Sequence, residues 1–296
     1  MEYRKLGKSS LMISQIGFGT MSLELNQSTS ENLINRAIDG GINYFDTADI
    51  YQDGLNESFL GRVLQNKREN LILATKVGNK KRIDGSGLDW VPSKKYILTA
   101  VDASLKRLQT DYIDLYQLHG GTVDDPIDDI IEAFEFLKKA GKIREYGISS
   151  IRPNVIREYV KRSSIISVMM QYSLLDRRPE KSVFPLLIQN NVSVLARGTL
   201  AKGLLISKPA ESFLNYSRDQ VEKLSQTLSL ISNKTSYELA ILFALTRAPI
   251  SSAVIGIRTE KQLQDAIDIK SSPSLSFEEM KSLENIFLVN QYQNYT

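Results

Sequence analysis

The sequence predicts an α/β protein folded as a closed (β/α)8 TIM barrel, with an N-terminal hairpin ahead of the barrel and one extra helix at the C-terminus. Three observations carry that expectation. Short β-rich runs alternate with amphipathic helical stretches along all 296 residues, the pattern of a parallel sheet built from crossovers. Most of those runs are continuously apolar, as in strands covered on both faces. The spacing is even, and no segment rich in Pro, Gly or Ser divides the chain. Residues 1–296 are therefore expected to form a single domain of barrel size.

The elements follow in order. Tyr3–Ile13 turns at Gly7–Ser9 and is expected to form a hairpin under the barrel floor. Strands are expected at Ile13–Phe18, Asn43–Asp46, Leu71–Thr75, Leu115–Leu118, Glu145–Ile148, Ser167–Gln171, Ser193–Ala196 and Ala253–Ile255. Between them, Glu31–Asp39 stops at Gly40-Gly41, a helix-ending pair. Ser93–Leu108 opens on a capping serine and carries Ile97, Val101, Leu105 and Leu108 on one stripe. Ile127–Lys139 has its apolar residues at helical spacing and ends in Lys138-Lys139 and Gly141, which suits the helix dipole and the C-cap. Further helices fit Pro153–Lys161, Ser182–Gln189, Ser236–Arg247 and Glu260–Ile267, and a last one, Phe277–Leu288, follows Pro273. Longer insertions at Ser22–Thr29, Asn79–Ser93 and Ile206–Ser217 follow strands, which places them on the C-terminal face of a barrel, where chemistry collects.

Composition removes several chemistries. There is no cysteine, hence no thiol nucleophile, zinc ribbon or cysteine-held cluster. The only histidine, His119, rules out multi-histidine metal sites, so no metal is expected. A net charge of +3 from 37 basic and 34 acidic residues, scattered along the chain, gives little reason to expect a nucleic-acid partner. The N-terminal residues lack the apolar core of a signal peptide, and the longest apolar run, Leu239 to Leu245, is too short to span a bilayer. A cytoplasmic protein without a membrane partner is expected.

Three motifs fall short. Gly17-Phe18-Gly19 begins like a dinucleotide fingerprint, but Ser22 stands in place of the third glycine. Gly7-Lys8-Ser9 resembles the end of a P-loop, yet Glu2 occupies the position of its first glycine. Lys80-Lys81-Arg82 is a short charge run suited to a solvated loop, or to a loop above an anionic cofactor.

One constellation does not fall short. Asp46, Lys76 and His119 end three consecutive expected strands, and Tyr51 follows Asp46 by five residues. Each alone has an ordinary explanation: a solvated lysine, a hydrogen-bonding histidine, a packed tyrosine. In a barrel, however, adjacent strand ends meet on one face. The set suits carbonyl reduction. Hydride addition leaves an oxyanion that needs a proton. A free tyrosine, with a pKa of about 10, is a poor acid at neutral pH, and a neighbouring ammonium favours its phenolate. A carboxylate offsets the buried ammonium, and a neutral imidazole can donate to the carbonyl oxygen. A Schiff-base aldolase using Lys76 is the competing reading of the same residues.

These residues resemble the aldo-keto reductases nearly end to end. Phe45-Asp46-Thr47-Ala48-Asp49-Ile50-Tyr51 is similar to the family's D-T-A-x-x-Y segment, Ala74-Thr75-Lys76 to its lysine strand, and Asp114 to His119 to its histidine strand. The resemblance implies Tyr51 as general acid, Lys76 as its modulator, Asp46 as partner of Lys76, and His119 as the group that positions the carbonyl. It also implies NADPH, with NADH less favoured, bound extended across the barrel mouth without a Gly-rich fingerprint.

By the same resemblance Gly19, Thr20 and Met21 lie under the nicotinamide, with Asp46 beside it, and Ser149 and Gln171 hold its carboxamide. Arg197, Gly198, Thr199, Leu200, Lys202 and Gly203 follow the nicotinamide and pyrophosphate, and Gly256, Arg258, Gln262 and Asp265 line the adenine side. The chain departs from the family at Arg197, where an aromatic residue is common; a guanidinium can stack on the ring or pair with a phosphate. Ser150, Gln262 and Ala266 also replace common Asn, Arg and Asn. Arg258 is the candidate for the 2′-phosphate. Met21, Tyr51, Trp90 and His119 are expected around a small-molecule carbonyl substrate, although Trp90 serves equally well as a loop anchor. The tail Asn290–Thr296 is short and polar, so an open pocket accepting varied aldehydes is expected. Some members of the family act as cofactor-binding regulatory subunits, so a slow redox-sensing subunit is the alternative. The sequence leaves the oligomeric state open.

Overall fold

The structure is a computed structural model and describes residues 1–25 and 28–295. Two positions of the Ser22–Thr29 insertion, Asn26 and Gln27, and the last tail residue, Thr296, lie outside the described residues.

The chain opens on a hairpin of β1 (Tyr3–Lys5) and β2 (Met12–Ser14), antiparallel with Tyr3 opposite Ser14. Ser9 ties its turn: the hydroxyl donates to the Leu6 carbonyl at 2.7 Å and accepts from the Leu11 amide at 3.1 Å. The expected run Ile13–Phe18 is divided between this hairpin and the first barrel strand, β3 (Ile16–Gly19). Gln15 is the hinge. Its amide donates to Glu2 in the hairpin, while its carbonyl accepts from Ala253 in the barrel, so one residue serves two sheets.

The barrel strands continue with β4 (Tyr44–Asp46) and β5 (Ile72–Val77). A small antiparallel hairpin, β6 (Asn79–Lys81) and β7 (Leu88–Trp90), fills the long insertion that follows. Then come β8 (Ile113–Leu118), β9 (Ile143–Ser149), β10 (Ser167–Gln171), β11 (Ser193–Arg197) and β12 (Ile250–Gly256). β3, β4, β5 and β8 to β12 pair in sequence order, all parallel, and β12 returns to β3 to close the barrel.

Helices α1 (Ser28–Asp39), α3 (Lys94–Leu108), α4 (Ile127–Lys139), α5 (Pro153–Arg162), α9 (Ser236–Leu245), α10 (Glu260–Asp268) and α11 (Phe277–Ile286) stand close to expectation. Ser93 caps α3 by accepting from the Tyr96 amide. In α9 every residue from Leu239 to Leu245 is buried, so the longest apolar run of the sequence is a helix enclosed on all sides.

Three helical features differ from expectation. Ser182–Gln189 is two short helices, α6 (Pro179–Ser182) and α7 (Phe184–Gln189), because Pro185 has no amide to continue the first. α8 (Arg218–Leu228) has no counterpart among the expected helices: it is largely polar, Val221, Leu224 and Leu228 form the narrow stripe it packs on the core, and a capping box of Ser217 and Gln220 opens it. α2 (Leu55–Leu64) is hidden for a different reason: its buried face carries Asn56 and Glu57. Among the described residues, no helix is long and apolar enough to cross a membrane.

Alternation along the strands decides what faces the lumen. Tyr44, Ile72, Ala74, Leu115, Met169, Leu195 and Val254 form one buried cluster with Leu6, Leu11 and Ile13 of the hairpin. Their chain neighbours Phe45, Leu73, Tyr116, Val168, Val194 and Ala253 pack outward against the helices. The hairpin is thus a stopper in the floor of the barrel, as expected. Gly17 is needed at this depth, since a Cβ there would lie 2.5 Å from the Tyr44 ring. Leu6 is fully buried in this stopper, so Leu6→Ala is expected to lower stability by about 2–5 kcal/mol; urea denaturation measures it.

Candidate active site

The same alternation, carried two residues further up each strand, selects the residues at the mouth. Asp46 follows Tyr44, Lys76 follows Ala74, Gln171 follows Met169, Arg197 follows Leu195 and Gly256 follows Val254. His119 shares the phase of Leu115, and Ser149 alternates with the outward-facing Ile148. Residues scattered over more than 200 positions therefore ring one opening.

Lys76 is the centre. It is 1% exposed, and its Nζ donates to Asp46 Oδ1 at 2.5 Å and to the Thr47 carbonyl at 2.6 Å. The Tyr51 ring lies beside it, with Nζ 5.1 Å from the ring centroid, and Tyr51 and His119 meet edge to face at 6.0 Å. All four expected residues thus converge. The second oxygen of Asp46 accepts from Tyr44 and Gln117, each at 3.4 Å. Burial pulls the Lys76 ammonium toward neutrality, but Asp46 and the Tyr51 oxygen outweigh it and hold the group above the ordinary lysine range. A Schiff base requires a neutral amine, so this geometry speaks against the aldolase reading.

His119 has the opposite electrostatics. Burial first, then the positive charges of Lys76 and Arg197, lower its pKa to about 3. Its Nδ1 is buried without a partner among the described residues, while its carbonyl accepts from Asn79 of the β6–β7 hairpin at 2.9 Å. An ammonium under a phenol, beside a neutral imidazole, can protonate and orient a carbonyl oxygen.

α2 supplies a support that the sequence reading missed. Asn56, fully buried, accepts from the hydroxyls of Thr20 (2.6 Å) and Thr47 (2.7 Å) and donates to the Thr20 carbonyl (2.9 Å) and to Gln52 Oε1 (3.1 Å). One amide therefore ties the loop after β3, the residue whose carbonyl holds Lys76, and the turn after Tyr51. That turn passes through left-handed Gln52, Asp53 and Gly54. Glu57 likewise accepts from Thr75 and pairs with Arg107. A polar pair on a core-facing helical position was the available signal.

Trp90, at the end of β7, is anchored. Its Nε1 donates to Asp125 at 2.9 Å, and its ring fills the space where a side chain on Gly78 or Gly120 would stand, directly after His119. Met21 is exposed at the rim. Lys81 and Arg82 pair with Asp53 and Asp89, which leaves Lys80 of the basic run as a solvated residue.

The other expected cofactor positions divide. Ser149 and Gln171 face the mouth half-buried, and their side chains make no hydrogen bond among the described residues. Free hydroxyl and amide groups are the donors and acceptors a carboxamide requires. Gly198, Lys202 and Gly203 have positive φ, so the loop through Thr199 and Leu200 turns tightly. The Arg258 guanidinium is exposed, and its amide is held by Gln262 Oε1 at 2.8 Å. This donor set fits a nicotinamide dinucleotide. Thr20 and Asp265 are turned elsewhere: the Thr20 hydroxyl bonds inward to Asp46 and Asn56, and Asp265 pairs with Lys261 one helical turn away. The tail is tied to the loops after β9 and β10: Asn290 is anchored to Leu175 and Arg177, and Tyr295 lies over Arg152. A separate groove of about 510 Å³, lined by Arg4, Ser193 and Pro249 among others, opens on the hairpin side and contains none of these residues.

The His119 environment makes a direct prediction. The group should remain neutral throughout neutral pH and gain a proton only near pH 3. As the single histidine of the chain, its ring proton resonance is expected to show no titration between pH 5 and 8, where an ordinary imidazole passes its midpoint near 6.5. An NMR pH titration checks this.

Comparison with known proteins agrees with the geometry. The model of the aldo/keto reductase family matches residues 15–287. The chain is 46% identical over 295 residues to the uncharacterized oxidoreductase YqkF of Bacillus subtilis, covering 96% of each chain. It is 30% identical to the aldo-keto reductase YhdN of the same organism, covering 97% of this chain and 93% of that one. Among solved structures, the holo form of aldo-keto reductase AKR11C1 from Bacillus halodurans superposes with a TM-score of 0.96 at 47% identity, covering 100% of this chain and 99% of that one. The chain is an NAD(P)H-dependent oxidoreductase and belongs to the aldo/keto reductase family.

Proposed function

We propose that this protein reduces aldehydes or ketones to alcohols with NADPH, and that Tyr51 supplies the proton. The observation that carries the reading is the Lys76 ammonium, fixed at 2.5 Å from Asp46 and directly beneath the Tyr51 ring. A nicotinamide dinucleotide held there would supply a hydride to the carbonyl carbon. Tyr51 gives its proton to the oxygen as negative charge develops there, and the ammonium stabilises the phenolate that remains. His119, neutral, donates to the same oxygen and fixes its orientation. Asp46 keeps Lys76 in place, and Trp90 and Met21 form the apolar wall against which the substrate rests.

For the dinucleotide, Ser149 and Gln171 would hold the carboxamide. Gly19, Thr20 and Met21 would lie under the ring with Arg197 opposite. The turn from Gly198 to Gly203, including Lys202, would follow the pyrophosphate, and Gly256, Arg258 and Gln262 would meet the adenosine end. Thr20 would act there through its backbone, since its hydroxyl is spent on Asp46 and Asn56, and Asp265 would contribute at the edge. A cytoplasmic enzyme is consistent with this cofactor.

Stopped-flow measurement of NADPH oxidation by a simple aromatic aldehyde tests the reaction. Tyr51→Phe is expected to slow hydride transfer by about 10²–10⁴-fold while NADPH still quenches protein fluorescence; an equal rate in the variant would remove Tyr51 from its role. Arg258→Ala is expected to weaken NADPH binding by roughly tenfold or more, the worth of a charge-assisted phosphate contact, with little change for NADH. Fluorescence titration with both dinucleotides measures the difference.

A further inference from the structure

The chain has six methionines and no cysteine, so a peroxide that reaches it meets thioethers and no thiol. Burial sorts the six. Met169 and Met170 of β10 are enclosed, and Met1 and Met280 pack half-buried against the core. Two stand out in solvent, at opposite ends of the barrel. Met12, 47% exposed, belongs to β2 of the hairpin under the floor. Met21, 65% exposed, follows the C-terminal end of β3.

Met21 is held where it stands. Thr20 before it donates its amide to the Asp46 carbonyl at 3.0 Å, and its hydroxyl bonds that same carbonyl and Asn56 Oδ1. The Leu23 amide closes the turn on the Thr20 carbonyl at 3.0 Å, which makes Met21 and Ser22 its corners. The Met21 Cα is therefore one peptide, about 3.8 Å, from a residue bonded to the partner of Lys76. Of the six thioethers, this one combines exposure with a place beside the reacting groups.

Oxidation reverses the character of that place. A thioether is an apolar, pliable contact, whereas its sulfoxide is polar and chiral. Hydrogen peroxide passes one oxygen atom to the sulfur: the O–O bond breaks, the S–O bond forms, sulfur gives up two electrons, and the peroxide leaves as water. Methionine sulfoxide reductases undo the change.

We propose that Met21 is a site of oxidative modification, and that its sulfoxide weakens the hold of the opening on apolar carbonyl substrates. The proposal rests on the carbonyl-reductase reading above. Peroxide then acts on the enzyme through KM, and the Lys76 and Tyr51 chemistry is left in place. Met12 is the internal control, since it carries the same thioether at the far end of the barrel.

The test treats the full chain with hydrogen peroxide, removes the excess with catalase, and reads peptide mass mapping beside steady-state kinetics with benzaldehyde and NADPH. Met21 and Met12 are expected to gain one oxygen each, and Met169 and Met170 none. KM for benzaldehyde should rise by about tenfold as the Met21 sulfoxide accumulates, the cost of a polar group in an apolar contact, with kcat changed far less. Met12→Leu should respond to peroxide as the wild type does. Met21→Leu, compared with its own untreated protein, should keep its KM. Reductases for both sulfoxide epimers should restore the wild-type value. Met21 left unoxidised while Met12 reacts, a Met21 sulfoxide with KM unchanged, or an equal rise of KM in Met21→Leu each overturns the proposal. If the untreated protein does not oxidise NADPH with benzaldehyde, the reductase reading fails instead, and the peptide map still shows whether Met21 is the modified residue.

Discussion

A charged ammonium kept almost wholly out of water is the constraint around which this barrel is organised. Desolvating Lys76 carries a cost of several kcal/mol, and that cost is offset only if an anion and further acceptors stand within bonding distance. Asp46 and the Thr47 carbonyl do so. Both come from the end of one strand, and Thr47 is fixed in turn by Asn56 of the first helix beyond it. Tyr44 and Gln117 close the remaining side of Asp46. Four elements must therefore be in register before the charge is tolerated, and that register also brings Tyr51 and His119 together.

The charge acts outward as well. Burial does most to keep the imidazole of His119 a neutral donor, and the positive charges of Lys76 and Arg197 add to the effect. The opening as a whole is arranged for electron-rich oxygen: an ammonium, a phenol and an imidazole face it, and the Asp46 carboxylate is committed to Lys76, Tyr44 and Gln117.

Much of this was legible in the sequence, because strand alternation is a rigid rule. Once Tyr44, Ala74 and Leu115 face inward, Asp46, Lys76 and His119 must gather at the same end, and they do. What stayed hidden broke the rule that helices bury apolar faces. α2 buries Asn56 and Glu57, so its pattern reads as a loop although it carries the amide that supports the site. Gln15 escaped notice because it belongs to two sheets and interrupts neither apolar run. Arg152 gave no signal either, since only the folded chain brings it against Gly121 and Tyr295. Asp265 and Thr20 show the converse: a matching position does not fix where a side chain points.

The hairpin beneath the barrel has a consequence for traffic. Leu6, Leu11 and Ile13 pack beneath the apolar side chains that already fill the lumen, so two small molecules that share the opening at the strand C-termini would enter and leave by the same side. Whatever settles deepest must arrive first and depart last, because later arrivals stand in its exit path.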